Sequence, residues 1–464
     1  MLATQLTALA EAREGVPETL AVVDGFDDAL VHGLGRLGAE QSAALAALAS
    51  AVAVTPLGDR VAEAVEKIGA GSIGDGHLAA LAAARSALLG AVHDALVTGV
   101  DTALGRTRAP WTQGETPAEA IAGPRGAARA WLGELAITGW HGVEHELVSG
   151  GVQAIDALLA EPASRRLAVL LDGLAAELRA SSPVATAELV PARRWADLWT
   201  RAVLLAQDAF TGAATAETVT GRLLILGVDL HEHPTAVQAE VHAVLDTPDG
   251  SARLVRAAVS ATKVDTVVGP AVWKLFTAYP VLTAALAERK AVEITDMPLL
   301  DGGDLYWVEA QAAVGAPAEP FATARVQLAE ATAPAAQPLD RHPARIGEPV
   351  LVEGYKVVKG YGYLTFDLGD VEIVVHQDRL PGSGPITHAL LLASTACIGL
   401  LRWDAGTWTL QPLAVQAVVK KKPVEAHAAD WAQGPTDPKV VKAAARTGDA
   451  VAVLRERAGR LLRK

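Results

Sequence analysis

Cysteine is nearly absent: Cys397 stands alone in 464 residues. A single thiol excludes an intramolecular disulfide and any cysteine-rich zinc site, and it fits a reducing compartment. Cys397 lies in the apolar run 390–401, where a buried structural thiol is expected rather than a nucleophile. Aromatic residues are scarce at 4%, and half of them are the 10 Trp. The apolar share of 51% therefore rests largely on alanine and aliphatic side chains. Alanine favours helix but buries little area, so helices built from it must pack closely. Positive charge is the minority sign, with a formal net charge of −13. That balance argues against nucleic acid or an anionic membrane as a nonspecific partner. No G-x-x-x-x-G-K-[ST] loop occurs, which excludes a P-loop ATPase, and no G-x-S-x-G elbow occurs. The first residues, MLATQLTALAEAREG, carry no basic stretch leading into an apolar one, and the early apolar run 42–57 is short for a membrane span. A cytoplasmic protein with no membrane partner is expected.

What is present divides the chain into two halves. The length fits two to four domains at roughly 100–200 residues each. Residues 1–210 read as an Ala-rich, all-helical domain. Leu78, Leu81, Leu88, Leu89, Val92, Leu96 and Val100 recur at helical spacing, as do Leu167, Leu170, Leu171, Leu174 and Leu178. Residues 191–210 form a further helix with Pro191 in its first turn and Trp195 and Trp199 on its apolar side. Pro, Gly and Thr make 105–126 a loop over this core.

After residue 218 the period changes. Val237, Ala239, Val241 and Ala243 alternate with Gln238, Glu240 and His242, the mark of a half-buried strand. Thr247-Pro248-Asp249-Gly250 is a turn between strands. Residues 221–264 give three strands, 269–289 a helix interrupted at Pro280, and 291–297 and 304–313 two more strands. The order recurs, with strands at 349–358, 361–368 and 370–378, a short helix at 385–395, and a hairpin of 397–403 with 408–419. The expected fold class is α+β: a helical domain at 1–210, then two small β-β-β-α-β-β units at 219–314 and 347–420. That strand order is OB-like, and duplication of one unit would account for it. An Ala/Pro-rich linker is expected at 315–346, and a basic helical tail at 421–464.

Candidate sites are few. His141-Gly142-Val143-Glu144-His145 fits H-x-x-E-H. On a helix, His141 and His145 would share a face and grip Zn²⁺, Glu144 would act as general base, and Glu217 is a conceivable third ligand. Gly139 and Gly142 weaken the required helix by about 1 kcal/mol each, so capping or partly buried histidines are the competing reading. His231 and His233 would face one side of a strand, with His242 on the next strand, and could bind a metal; a polar strand end before Pro234 competes. Gly69-Ala70-Gly71-Ser72-Ile73-Gly74 matches G-x-G-x-x-G, but a helical run precedes it, so it reads as an interhelix loop. Tyr355, Lys356, Lys359, Tyr361 and Tyr363 would suit base stacking and phosphate contacts. The nearby Glu353, Asp367, Asp370 and Glu372 argue instead for core tyrosines and solvated strand edges.

The segment PARRWADLWTRAVLLAQ at 191–207 resembles a stretch of uncharacterised bacterial proteins encoded beside MoxR-type AAA ATPases, von Willebrand factor A proteins and SWIM zinc-finger proteins. The chain has none of the Walker motifs, the metal-dependent adhesion pattern or the paired cysteines of those neighbours. The resemblance implies an accessory protein of that machinery and carries no catalytic residue. The expectation is a non-enzymatic adaptor or scaffold in a multiprotein assembly, with a MoxR-type AAA ATPase or a von Willebrand factor A protein as partner. A zinc-dependent hydrolase and a single-stranded nucleic-acid binder are the alternatives.

Overall fold

A computed structural model of the chain describes residues 1–11, 13–111, 125–207, 216–404, 406–447 and 450–461. The chain is α+β, with its long helices in the first half and two mixed sheets in the second. The first half comprises α1 (Ala3–Ala10), α2 (Val16–His32), α3 (Ala39–Val52), α4 (Gly58–Gly69), α5 (Asp75–Leu104), α6 (Arg125–Thr138), α7 (His145–Gly150), α8 (Val152–Ala160), α9 (Arg165–Ser181) and α10 (Ala192–Leu205). The periodic leucines of α5 and α9 face the core, except Leu170, which is only half-buried. α5 is long and apolar enough to cross a membrane, but 67% of its most apolar window is buried in the fold, and it serves as the central helix. It stops where Gly105 adopts φ +68°, the left-handed conformation that ends helices at little cost to glycine.

With so much alanine, the few large side chains decide where the helices meet. Trp140, Trp195, Trp199 and Phe26 are wholly buried, with Trp140 edge-to-face on Trp195 at 6.1 Å and Phe26 tilted on Trp199 at 6.5 Å. Both indoles of α10 are satisfied: Trp195 Nε1 donates to Glu177 Oε2 and Trp199 Nε1 to the Leu132 carbonyl. These two residues are core packing, as expected. Inside the same core Arg85 grips Asp27 with two bonds, Nε to Oδ1 at 2.6 Å and Nη2 to Oδ2 at 2.9 Å.

The first sheet contains β1 (Ala216–Glu232), β2 (Ala236–Asp246), β3 (Ala252–Thr262), β4 (Lys290–Leu300), β5 (Asp304–Leu305) and β6 (Ala312–Pro317), with α11 (Pro280–Glu288) before β4. β1–β2, β2–β3, β5–β4 and β4–β1 pair antiparallel and β3–β5 pair parallel, so the pairings close into a ring, with β6 added outside on β4. The second sheet holds β7 (Glu348–Glu353), β8 (Lys356–Lys359), β9 (Leu364–Asp367), β10 (Glu372–Val375), β11 (Ser394–Asp404), β12 (Thr407–Val419) and β13 (Lys422–His427), with α13 (His388–Leu392) before β11. α12 (Pro320–Gln327) lies between the sheets in sequence. Pairing runs β8–β9–β10–β12–β11–β7, again with one parallel contact, β10–β12. β7 and β8, the two ends of this path, are joined in the chain through Gly354, at φ +73°, and Tyr355, so the path is closed by chain continuity and not by a ladder among the described residues.

Several boundaries differ from the sequence reading. Pro280 starts α11 instead of interrupting a longer helix, as a residue without an N–H fits the first turn. The strand expected at 304–313 is cut short at Leu305. Glu309 redirects the chain there by accepting from Val281 N and from Trp307 Nε1. The segment expected as a linker at 315–346 is packed: Phe321 and Ala324 of α12, with Leu328, are buried between the two rings. The expected helical tail begins with strand β13, and among the described residues only α14 (Pro438–Thr447) and α15 (Ala450–Leu461) are helical. Part of the loop at 105–126 lies outside the described residues.

The parts are interlocked. Leu6 and Leu9 of α1 and Val100 of α5 enter the core of the second ring. Trp431 and Val451, from the end of the chain, enter the core of the first. Arg108 joins Asp101 of α5 at 2.9 Å to Glu348 of β7 at 3.0 Å. Between the rings, a Cβ at Gly227 would fall 2.5 Å from Leu413, so glycine there permits the close approach of β1 to β12.

Candidate functional site

A concavity with mixed chemistry lies where α1 and α2 meet the second ring. Its volume is about 720 Å³, within the range of ligand and peptide clefts. Leu6, Leu9, Val16 and Leu20 form one wall, and Leu96 of α5 the base. Val371 to Val374 and the β11–β12 hairpin form the other wall. Trp403 and Trp408 sit opposite each other across that hairpin. Trp403 is buried against Val16, Val92 and Leu96, while Trp408 stays half-exposed at the groove. The rim is charged on both sides. Arg193 holds Asp24 at 2.6 Å, and Arg13 packs across Gly99, where a side chain would fill the space its guanidinium occupies. Glu11, Arg13 and Glu372 make no ion pair among the described residues. An apolar floor with charges of both signs on its rim suits an amphipathic segment of another chain.

The single helix on which the H-x-x-E-H reading relies does not form. Gly139 ends α6 at φ +78°, and its backbone crosses His32 and Gly33 so closely that a Cβ there would collide with both. Gly33, at φ +92°, mirrors it, and Leu34 N and Gly35 N donate to the carbonyls of Ala136 and Ile137. The chain therefore leaves the helix to bury Trp140, and Trp140–Gly142 form one tight turn. Glu144 is extended at ψ 169°, and α7 begins only at His145. His141 and His145 share no helical face, and both are exposed, as is Glu144. His141 instead lies edge-on to His32, with ring centroids 6.0 Å apart. Glu217 is engaged by Arg253.

The second histidine set also disperses. His231 pairs with Gln238 in register, whereas His242 stands opposite Gly227. His231 Nε2 lies 2.9 Å from Asp229 Oδ2, His233 reaches Thr235 at 3.3 Å, and the buried His242 faces Glu240 at 3.3 Å. Among the described residues no group of three or more His, Cys, Asp or Glu is placed to hold a metal. Asp229 joins the rings: it accepts from Arg402 Nη2 at 2.6 Å and Gln411 Nε2 at 2.7 Å. Burial alone would raise its pKa, but the bonds from His231, Arg402 and Gln411 outweigh it and hold the carboxyl well below the usual range.

The other sequence candidates fall in place individually. Gly69–Gly74 connects α4 to α5, an interhelix loop as read. Cys397 is fully buried, and burial pushes its thiol pKa up. Tyr355 is a core residue stacked on Phe366 at 3.8 Å, with its hydroxyl 2.8 Å from Ser394 Oγ. Tyr361 is fully exposed and Tyr363 half so, on the β8–β9 turn next to the exposed Lys359, while the exposed Lys356 lies at the far end of β8 opposite Asp367.

No known protein family, no curated protein and no solved structure matches this chain.

Proposed function

We propose that this chain is a non-enzymatic adaptor that holds an amphipathic segment of a protein partner in the groove between α1, α2 and the second ring. The observation that carries this reading is the groove itself, apolar along its floor, with Trp408 half-exposed in it and charges of both signs on its rim. Aromatic anchors in a partly desolvated pocket are where binding energy concentrates in protein interfaces. A MoxR-type AAA ATPase or a von Willebrand factor A protein is the partner class implied by the resemblance at 191–207. Those residues form α10 and put Trp195 and Trp199 in the core, so the likeness speaks for a shared helical core, with the partner surface elsewhere.

We also read each ring as an OB-like barrel: the first closes in the strand order 1-2-3-5-4, and the second follows the same order when β7 and β8 count as one bent strand, each with a parallel contact between strands 3 and 5. Duplication of one unit would account for the shared order. The test of the adaptor reading is affinity capture from the native cell extract. Wild-type chain is compared with Ala21→Arg and Thr407→Arg, two exposed positions lining the groove. A partner retained by wild type and released by both variants supports the reading; a partner retained equally by all three refutes it.

One observation favours a second reading, single-stranded nucleic acid on the second ring: Tyr361 and Tyr363 are exposed on a turn next to Lys359, on a strand that also carries Lys356. Base stacking on such rings contributes about 1–3 kcal/mol each. Labelled oligothymidylate at low salt should then bind, and Tyr361→Ala with Tyr363→Ala should release it. No binding at low salt ends this reading.

A further inference from the structure

The two sheets treat their outermost strands differently. β13 carries Lys422, Pro423 and Glu425, and Arg289 Nη2 donates to the Glu425 carbonyl at 2.9 Å, which blocks its outer edge. Charge, proline and a covering side chain are the usual guards of an open strand. β6 has fewer of them, although α11 packs against it. Its sequence is Ala-Ala-Val-Gly-Ala-Pro, with no charge and with proline only at the last position. It pairs with β4 on one side, and among the described residues no backbone hydrogen bond crosses its other side. Val314 is 38% exposed on it. An edge of this kind is a template on which an extended chain can add as a further strand, with affinity supplied by main-chain hydrogen bonds.

The flanking charge specifies what kind of chain. Glu293 stands opposite Ala313 in the β4–β6 register, and Glu319 lies two residues past the end of β6. Both are exposed, and neither makes an ion pair among the described residues. The nearby cations are already used: Lys290 holds Glu288 at 2.6 Å, and Arg289 holds Asp430 at 2.8 Å. An uncharged strand edge with free carboxylates beside it complements an extended segment bearing lysine or arginine.

We infer that β6 is a second docking surface, which takes an extended basic peptide segment of a partner as an added strand of the first sheet. This edge belongs to the first sheet and the proposed groove to the second ring, so the two readings are tested separately.

The probe is a synthetic peptide of alternating valine and threonine flanked by two lysines at each end, with a glutamate-flanked control. Binding to the full chain is followed by fluorescence anisotropy, and the site by amide hydrogen exchange. The lysine peptide is expected to slow exchange in 312–317 and to bind more tightly than the control. Glu293→Lys with Glu319→Lys, both at exposed positions, is expected to weaken it about tenfold and reverse the preference. Exchange in 312–317 that is unchanged at saturating peptide, or equal affinity for the two peptides, overturns the inference. Slowing that rises with protein concentration without peptide also overturns it, because the edge then pairs with a second copy of the chain.

Discussion

His342 gives the fold a pH dependence whose size can be worked out. It caps the tight turn Pro343–Arg345, where its Nδ1 accepts from Ala344 N at 3.1 Å. Burial, with Arg85, Arg345 and Arg201 nearby, holds its pKa down to about 4, although Asp197 pulls the other way. An unfolded histidine takes its proton near pH 6.5. Between these two values the unfolded chain binds a proton that the folded chain refuses. Stability is therefore intact above pH 6.5 and falls as the pH drops towards 4. The linkage relation gives a loss of about 2 kcal/mol at pH 5 and about 3 kcal/mol at pH 4 from this group. His342→Asn keeps an acceptor for Ala344 N but removes the titration. Urea unfolding followed by tryptophan fluorescence at several pH values compares the two chains. Wild type should lose about 2 kcal/mol more than the variant between pH 7 and pH 5. Parallel stability curves for the two chains would refute the assignment of a buried, neutral imidazole.

Other consequences are measurable in the same assay. Asp27→Ala leaves the buried Arg85 with only the Arg193 carbonyl and the more distant Asp197 and should cost about 3 kcal/mol, whereas Asp27→Leu combined with Arg85→Met should cost much less; a double variant no better than the single one would contradict this. Gly139→Ala should cost about 3 kcal/mol, because left-handed backbone and a collision with His32 and Gly33 add together. His141→Ala, at an exposed position, should change stability by less than about 0.5 kcal/mol; a large loss would mean that His141 holds something in the fold.

The sequence was most informative where one element buries its own periodic face. The leucines of α5 and α9 and the alternation of β2 needed no partner to be read, because spacing alone assigns them a core side. It was least informative where small residues dominate. Ala312–Pro317 and Pro320–Gln327 carry little periodic signal, and only the tertiary fit of Phe321 between the rings makes that segment structured. β13 was hidden because Lys420–Lys422 resemble a solvated tail, although Lys420 and Lys421 take left-handed backbone to close a two-residue hairpin. The helix expected under the histidine motif does not form because it depended on Gly139, whose conformation is fixed by a backbone over a hundred positions earlier. The groove was illegible for the same reason. Trp403 and Trp408 are visible as a cross-hairpin pair, but the wall facing them comes from α1 and α2 at the other end of the chain.

The adaptor reading is tested most directly by measuring which proteins co-purify with wild-type chain, and in what ratio, beside the groove-filled variants Ala21→Arg and Thr407→Arg. The account predicts a near-stoichiometric protein partner with wild type that is lost from both variants while their thermal stability is unchanged. A partner recovered at the same ratio with all three chains would contradict it.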